Sequence, residues 1–208
     1  MNSDKTTQNS LLYADLFSGC GGMSLGFEQA GFECVGAIDQ DENAAQTYAS
    51  NIGVEPIVGD ITEFTAQDLL NEFGVGRGEL DVLISCAPCQ GFSQHRNKHD
   101  VEHDERNTLV SLSAELAVGM EPEFFVMENV PELIQGSKEK YWERTYEILK
   151  QHDYLVDYDI LNAADYGVPQ RRRRAIIIAR KAGRKAEIPS PTVDQHRTVR
   201  DTIGDLPP

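Results

Sequence analysis

Cys89 follows Pro88 directly after the apolar run Leu80-Asp81-Val82-Leu83-Ile84, within the tract Ser85-Cys86-Ala87-Pro88-Cys89-Gln90-Gly91-Phe92-Ser93. Pro88 fixes its own φ and turns Ala87 away from helix, and Gly91 permits a sharp exit, so the thiol is presented on a rigid turn. Other groups able to do chemistry also end apolar runs. Asp39 ends Cys34–Ile38, Asp60 ends the stretch from Pro56, Glu128 ends Phe124–Met127 just before Asn129, and Gln170 opens a run of four arginines, Arg171–Arg174. A thiolate suits covalent addition, a carboxyl group suits proton transfer, and a guanidinium suits an oxygen on which negative charge develops. Each feature has a plainer alternative. Asp60 and Glu128 could cap the helices that follow them, and Cys89 could be a small apolar residue closing a strand.

The elements that must position these groups alternate between strand and helix. Tyr13-Ala14-Asp15-Leu16-Phe17 reads as a strand that runs into Ser18-Gly19-Cys20-Gly21-Gly22, with a helix beyond it carrying Met23, Leu25, Phe27 and Ala30. Strand, glycine turn and helix in that order let a backbone approach a nucleotide-like ligand. The order Gly-x-Gly-Gly departs from the dinucleotide fingerprint, so a pyrophosphate is not the first choice. Asp39 falls about twenty residues after the glycine turn, where an acid reaches ribose hydroxyls. A second acid at a neighbouring strand end, Asp60 before Ile61, would suit an adenine amino group. Further strands are expected at 80–84, 124–127, 155–161 and 175–179, and helices at 42–48, 108–118 and 138–152, the last with Tyr141, Thr145, Ile148 and Leu149 on its buried face. Residues 94–105 are polar without apolar periodicity and read as a loop able to act as a lid over the cysteine. An extended run through Arg171–Arg174 places Arg172 and Arg174 on one face.

The 208 residues allow one domain with a sizeable core, expected at 11–208 after a disordered tail at 1–10. No apolar run reaches membrane-spanning length, and the start of the chain lacks the order of a signal peptide, which points to a soluble, intracellular (cytoplasmic) protein. Four cysteines, Cys20, Cys34, Cys86 and Cys89, without cysteine–histidine pairs at ligand spacing, predict neither a disulfide framework nor a metal site. The formal charge of −15 is unevenly spread: residues 1–169 hold 9 Lys/Arg and 30 Asp/Glu, whereas 170–200 hold 10 Lys/Arg against Glu187 and Asp194. That basic segment is either a solvated face or a contact for a polyanion.

Taken together these motifs resemble the DNA (cytosine-5) methyltransferase family, from residue 13 to the C-terminus. Asp15-Leu16-Phe17-Ser18-Gly19-Cys20-Gly21-Gly22 is similar to the family's first cofactor motif, and Asp39 and Gly59-Asp60-Ile61 fall where its second and third lie. Pro88-Cys89-Gln90 is similar to the nucleophile motif, Glu128-Asn129-Val130 to the acid motif, and Gln170-Arg171-Arg172-Arg173-Arg174 to a Gln-x-Arg-x-Arg motif. Gly91-Phe92-Ser93 and Arg106-Asn107-Thr108-Leu109 look like the DNA enzymes rather than the transfer-RNA branch.

The resemblance implies an α/β, Rossmann-like methyltransferase fold, a mostly parallel sheet with helices on both faces. It implies S-adenosylmethionine held by Phe17, Ser18, Gly19, Cys20, Gly21, Gly22, Asp39, Asp60, Ile61 and Pro88. It further implies catalysis by Cys89, Glu128, Arg172 and Arg174 on a cytosine flipped out of double-stranded DNA, with Gln90, Ser93, Arg106 and Asn129 on the substrate side. Burial at a strand end would equip Glu128 to donate a proton. The family's target-recognition region and last motifs would follow Pro208, so the chain is expected to need that portion, in cis or from a partner subunit, and otherwise to be an inactive cofactor-binding module. A thiol redox protein using Cys86-Ala87-Pro88-Cys89 is the rival from another class.

Overall fold

The computed structural model describes residues 10–88, 108–135, 139–181, 183 and 186–206. Cys89, Gln90, Ser93, Arg106, the expected loop at 94–105 and residues 1–9 of the expected tail lie outside the described residues. Seven strands, β1 (Leu11–Leu16), β2 (Phe32–Asp39), β3 (Ile57–Val58), β4 (Val82–Ser85), β5 (Phe124–Asn129), β6 (Tyr154–Asn162) and β7 (Arg173–Lys181), are hydrogen-bonded in the order β3-β2-β1-β4-β5-β7-β6. The helices among the described residues are α1 (Gly22–Gln29), α2 (Glu42–Ile52), α3 (Ala66–Phe73), α4 (Thr108–Met120), α5 (Glu139–Gln151) and α6 (Val199–Ile203). The α/β fold is the expected one. The chain divides into two compact units, one holding residues up to Ile84 with Gly119–Glu123, the other Ser85–Val118 and Phe124–Pro208.

In the first unit β1 pairs parallel with β2, and β2 parallel with β3. Tyr13, Ala14, Asp15 and Leu16 are consecutively buried, as in a strand covered on both faces. Strand order reverses between β1 and β4, so the turn after β1 lies at a switch point, where α/β sheets bind ligands. Asp41 caps α2 by accepting from the amides of Asn43 and Ala44 at 2.9 and 3.1 Å. A reciprocal capping box between Thr65 and Asp68 starts α3, which buries Leu69, Leu70 and Phe73. Gly36 on β2 leaves room for the Phe73 ring; any side chain there would overlap it.

In the second unit β7 runs antiparallel to both β5 and β6, so those two strands share a direction and β7 alone is reversed. Burial alternates along β5 and β7, with Phe125, Met127, Ala175, Ile177 and Ala179 inward. The buried face of α5 is Trp142, Thr145, Ile148 and Leu149. Trp142 takes the place expected for Tyr141, its ring meeting Tyr158 of β6 edge-on at 4.7 Å. Two strand ends also differ from expectation. β5 continues through Glu128 and Asn129, placing both on the strand, and β1 stops before Phe17, which belongs to the turn.

Candidate functional site

The first unit presents the turn Phe17–Gly22. Phe17 adopts a left-handed φ of 62°, a conformation that costs a bulky residue about 1–3 kcal/mol and persists only where its surroundings hold it. Four hydrogen bonds do so: Ser18 N to Ile38 O (3.1 Å), Gly19 N to Asp39 Oδ2 (2.7 Å), Gly21 N to Ser18 O (3.0 Å) and Asn51 Nδ2 to Cys20 O (3.1 Å). Gly21 also has a positive φ, and a Cβ there would press on Ile52 and Tyr48 at 3.0 and 3.1 Å. Over Gly19 and Gly22, by contrast, the space is open. No side chain caps the N-terminal end of α1, and its first turn carries no acid.

Asp39 thus has a part in the turn that its position at a strand end did not reveal. Its Oδ2 braces Gly19, and its Oδ1 accepts from Asp41 N at 2.9 Å. Asp60 adopts the capping role left open by the sequence: Oδ1 accepts from the amide and hydroxyl of Thr62 at 2.9 and 2.8 Å, which holds its carboxyl below the usual range. Ile61 beside it is buried, and Cys20 is exposed.

Beneath the turn lies a buried polar cluster. Ser24 Oγ donates to Asp15 Oδ2 at 2.5 Å and lies 2.8 Å from Tyr48 Oη, which in turn is 3.3 Å from Cys34 Sγ. Asp15 is 1% exposed, and its Oδ1 has no hydrogen-bond partner among the described residues; neither has the buried Ser18 Oγ. Burial pushes the Asp15 carboxyl up to about 7, against the pull of the Ser24 hydrogen bond. Burial likewise raises the Cys34 thiol, which makes it unreactive. The sequence did carry a signal for this cluster: Asp15 is an acid in the middle of an otherwise apolar strand.

The second unit gathers Glu128, Arg172 and Arg174. Glu128 pairs with Ile176 in the β5–β7 register, so Arg174, two residues along β7, stands on the same face as a diagonal neighbour. Arg174 Nε lies 2.7 Å and Arg172 Nη2 3.5 Å from the same oxygen, Glu128 Oε1. Oε2 is left without a partner among the described residues. The Glu128 side chain is 25% exposed, so the burial expected for it is not found; its surroundings are two guanidiniums rather than an apolar wall. Asn129 is buried and donates from Nδ2 to Ala87 O at 3.1 Å, while its Oδ1 accepts from Val130 N at 2.9 Å. It thereby fixes the backbone leading into Pro88, the last described residue before the cysteine. A cavity of about 460 Å³ lined by Val130, Glu132, Arg173 and Arg174 opens beside this cluster.

A glycine turn at the switch point of an α/β sheet, with an acid from the next strand bracing it, marks a Rossmann-like ligand-binding fold. The sequence matches the C-5 cytosine-specific DNA methylase family over residues 11–208, and the chain belongs to that family. It is 39% identical over 197 residues to the type II methyltransferase M.XorII of Xanthomonas oryzae pv. oryzae, covering 93% of this chain and 46% of that protein. It is 35% identical to the type II methyltransferase M.AquIA of Picosynechococcus sp., covering 93% of this chain and 88% of that protein. Among solved structures, an E. coli prophage-encoded protein described as a DNA modification methyltransferase superposes with a TM-score of 0.81 at 32% identity, over 95% of this chain and 56% of that one. The chain therefore spans about half the length of M.XorII and most of M.AquIA. Among the described residues no helix is long and apolar enough to cross a membrane.

Proposed function

We propose that the chain carries the cofactor-binding and catalytic groups of an enzyme that methylates carbon 5 of cytosine in double-stranded DNA. The observation that carries the proposal is the Glu128–Arg174–Arg172 cluster, built beside an asparagine that holds the backbone at Ala87, two residues before Cys89 in the sequence. S-adenosylmethionine, when bound, supplies the methyl group from its sulfonium. The first unit fits such a molecule: among the described residues the space over Gly19 and Gly22 is open, α1 has no side-chain cap, and Ser18 Oγ is buried without a partner. Phe17, Ser18, Gly19, Cys20, Gly21, Gly22, Asp39, Asp60, Ile61 and Pro88 are the residues that would hold it, Phe17 by packing on a ring and Asp39 by accepting from sugar hydroxyls.

Carbon 5 of cytosine is a poor nucleophile, so the Cys89 thiolate adds to carbon 6 and makes carbon 5 enamine-like. Negative charge then develops on the ring. Glu128, turned by Arg174 so that Oε2 is open, meets ring nitrogen 3 and the exocyclic amine there. Arg172 is the looser and more exposed of the two arginines, with its side chain 48% accessible, and is the one free to reach the ring's carbonyl oxygen. Loss of the carbon 5 proton after methylation expels the thiolate. The target base lies inside a duplex and has to be flipped out, a step for which Gln90, Ser93, Arg106 and Asn129 are the residues that would serve the substrate.

The groove-reading part of the enzyme, in the same polypeptide or a partner subunit, completes it by positioning the duplex. The test is transfer of labelled methyl groups to mixed-sequence DNA by the protein supplied with that part. Cys89→Ser abolishes transfer, and Cys86→Ser keeps most of it. Equal losses from both changes would point to a Cys86/Cys89 redox pair instead.

A further inference from the structure

The four consecutive arginines do not share one destination. Arg172 and Arg174 go to Glu128, whereas Arg171 lines a separate cavity of about 290 Å³ together with Gln170, His196, Arg197 and Thr198. No carboxylate lines that cavity among the described residues. Among the described residues neither Arg171 nor Arg197 forms an ion pair, in a protein whose formal charge is −15. Two exposed arginines thus line one concave surface of an acidic protein, neither held in an ion pair among the described residues.

The segment bearing His196 and Arg197 is fixed in place. Thr192 N and Val193 N donate to Asp165 O at 3.0 and 3.3 Å, and His196 Nε2 lies 2.7 Å from Asp165 Oδ1. Asp165 thus spends its carboxylate on the far nitrogen of His196, and Nδ1 remains as the ring's other hydrogen-bonding atom. Asp201, whose carboxyl also feels Arg197, is occupied by Thr198 N at 2.8 Å in the capping box that starts α6. Asp165 and Asp201 are thus hydrogen-bonded into the pocket's wall, and among the described residues neither lies within ion-pair distance of Arg171 or Arg197.

We propose that the Arg171–His196–Arg197 pocket seats one phosphate group of the backbone of the DNA duplex; this rests on the function proposed above. Guanidinium groups match phosphate oxygens in geometry as well as charge, and a pocket at the small end of the ligand-site range suits a phosphate with part of its sugar better than a base. Arg171 is the immediate neighbour of Arg172, so a phosphate held by the one sets the register of the strand whose base meets the other. Such contacts position a duplex without reading its sequence.

The experiment is a fluorescence titration of the purified protein with a labelled mixed-sequence DNA duplex, repeated from about 50 to 200 mM salt. Arg171→Gln/Arg197→Gln weakens binding about tenfold or more at the lowest salt. The same variant lowers the slope of log affinity against log salt by about 0.9, one phosphate's worth. Arg77→Gln/Lys150→Gln removes the same charge elsewhere on the chain and leaves the slope unchanged. An unchanged slope in the first variant, an equal change in the second, or no duplex binding by the parent protein would overturn the pocket. Methyl transfer is read separately on the same duplex with the groove-reading part supplied: its absence, with the slope change present, counts against the proposed reaction and not against the pocket.

Discussion

The buried Asp15 carboxyl makes stability depend on pH in a direction opposite to that of most carboxylates. In the unfolded chain it titrates near its ordinary 3.8, and in the folded protein burial moves it to about 7. Between those values the unfolded state has released the proton that the folded state still holds, so this group's contribution to stability falls as pH rises and levels off above the folded value. At about 1.4 kcal/mol for each pH unit separating the two titrations, the loss is on the order of 4 kcal/mol from pH 4 to above 7. Asp15→Asn keeps an oxygen to accept from Ser24 Oγ but cannot ionise. The difference in unfolding free energy between variant and parent should therefore move by about 4 kcal/mol in the variant's favour across that window, while contributions common to both proteins cancel. Urea melts followed by far-ultraviolet circular dichroism at closely spaced pH values give that difference. A difference that stays constant with pH, or an Asp15 carboxyl resonance titrating near 4, would refute the assignment.

Two further changes test the scaffold. Gly36→Ala drives a methyl into the Phe73 ring and should cost about 1–3 kcal/mol, seen as a Tm several degrees lower; an unchanged Tm would mean that α3 shifts freely. Asn129→Ala leaves the buried Ala87 carbonyl unpaired, at a cost of about 1–3 kcal/mol, and should lower methyl transfer well beyond what the small loss of folded protein explains. Activity that tracks the folded fraction alone would show that the Asn129 bond to Ala87 has no part in positioning Cys89.

The strands β1, β4, β5 and β7 were legible because their apolar runs are short and either largely buried in succession or alternately buried. What could not be read was where the side chains on either side of each boundary would turn. Val126 and Met127 announce β5, yet only pairing with Ala175 and Ile176 of β7 carries that strand on through Glu128 and Asn129. Likewise α5 shows its amphipathic face clearly, but Trp142 displaces Tyr141 from it because Tyr158 of β6 offers a ring to pack against. The helix α3 was not among the expected elements, although Thr65-x-x-Asp68 ahead of Leu69, Leu70 and Phe73 is a local pattern whose capping box the structure forms in full.

The site was legible as a set of residue types and not as a set of partnerships, and the difference bears on the chemistry. An acid at a strand end is equally able to meet a ligand, cap a helix or brace a turn, since all three tasks are accepting hydrogen bonds. Asp60 caps and Asp39 braces; neither use forbids a ligand, because each carboxylate oxygen has two lone pairs and Asp60 Oδ2 has no partner among the described residues. For Glu128 the partnership is the more informative fact. Arg174 Nε at 2.7 Å fixes one oxygen, and a carboxyl group fixed at one oxygen can aim the other. The Gln-x-Arg-x-Arg spacing is thereby explained in terms of this strand: residues 172 and 174 share the face of Glu128, and Arg171 is left free to turn to a different pocket and a different task.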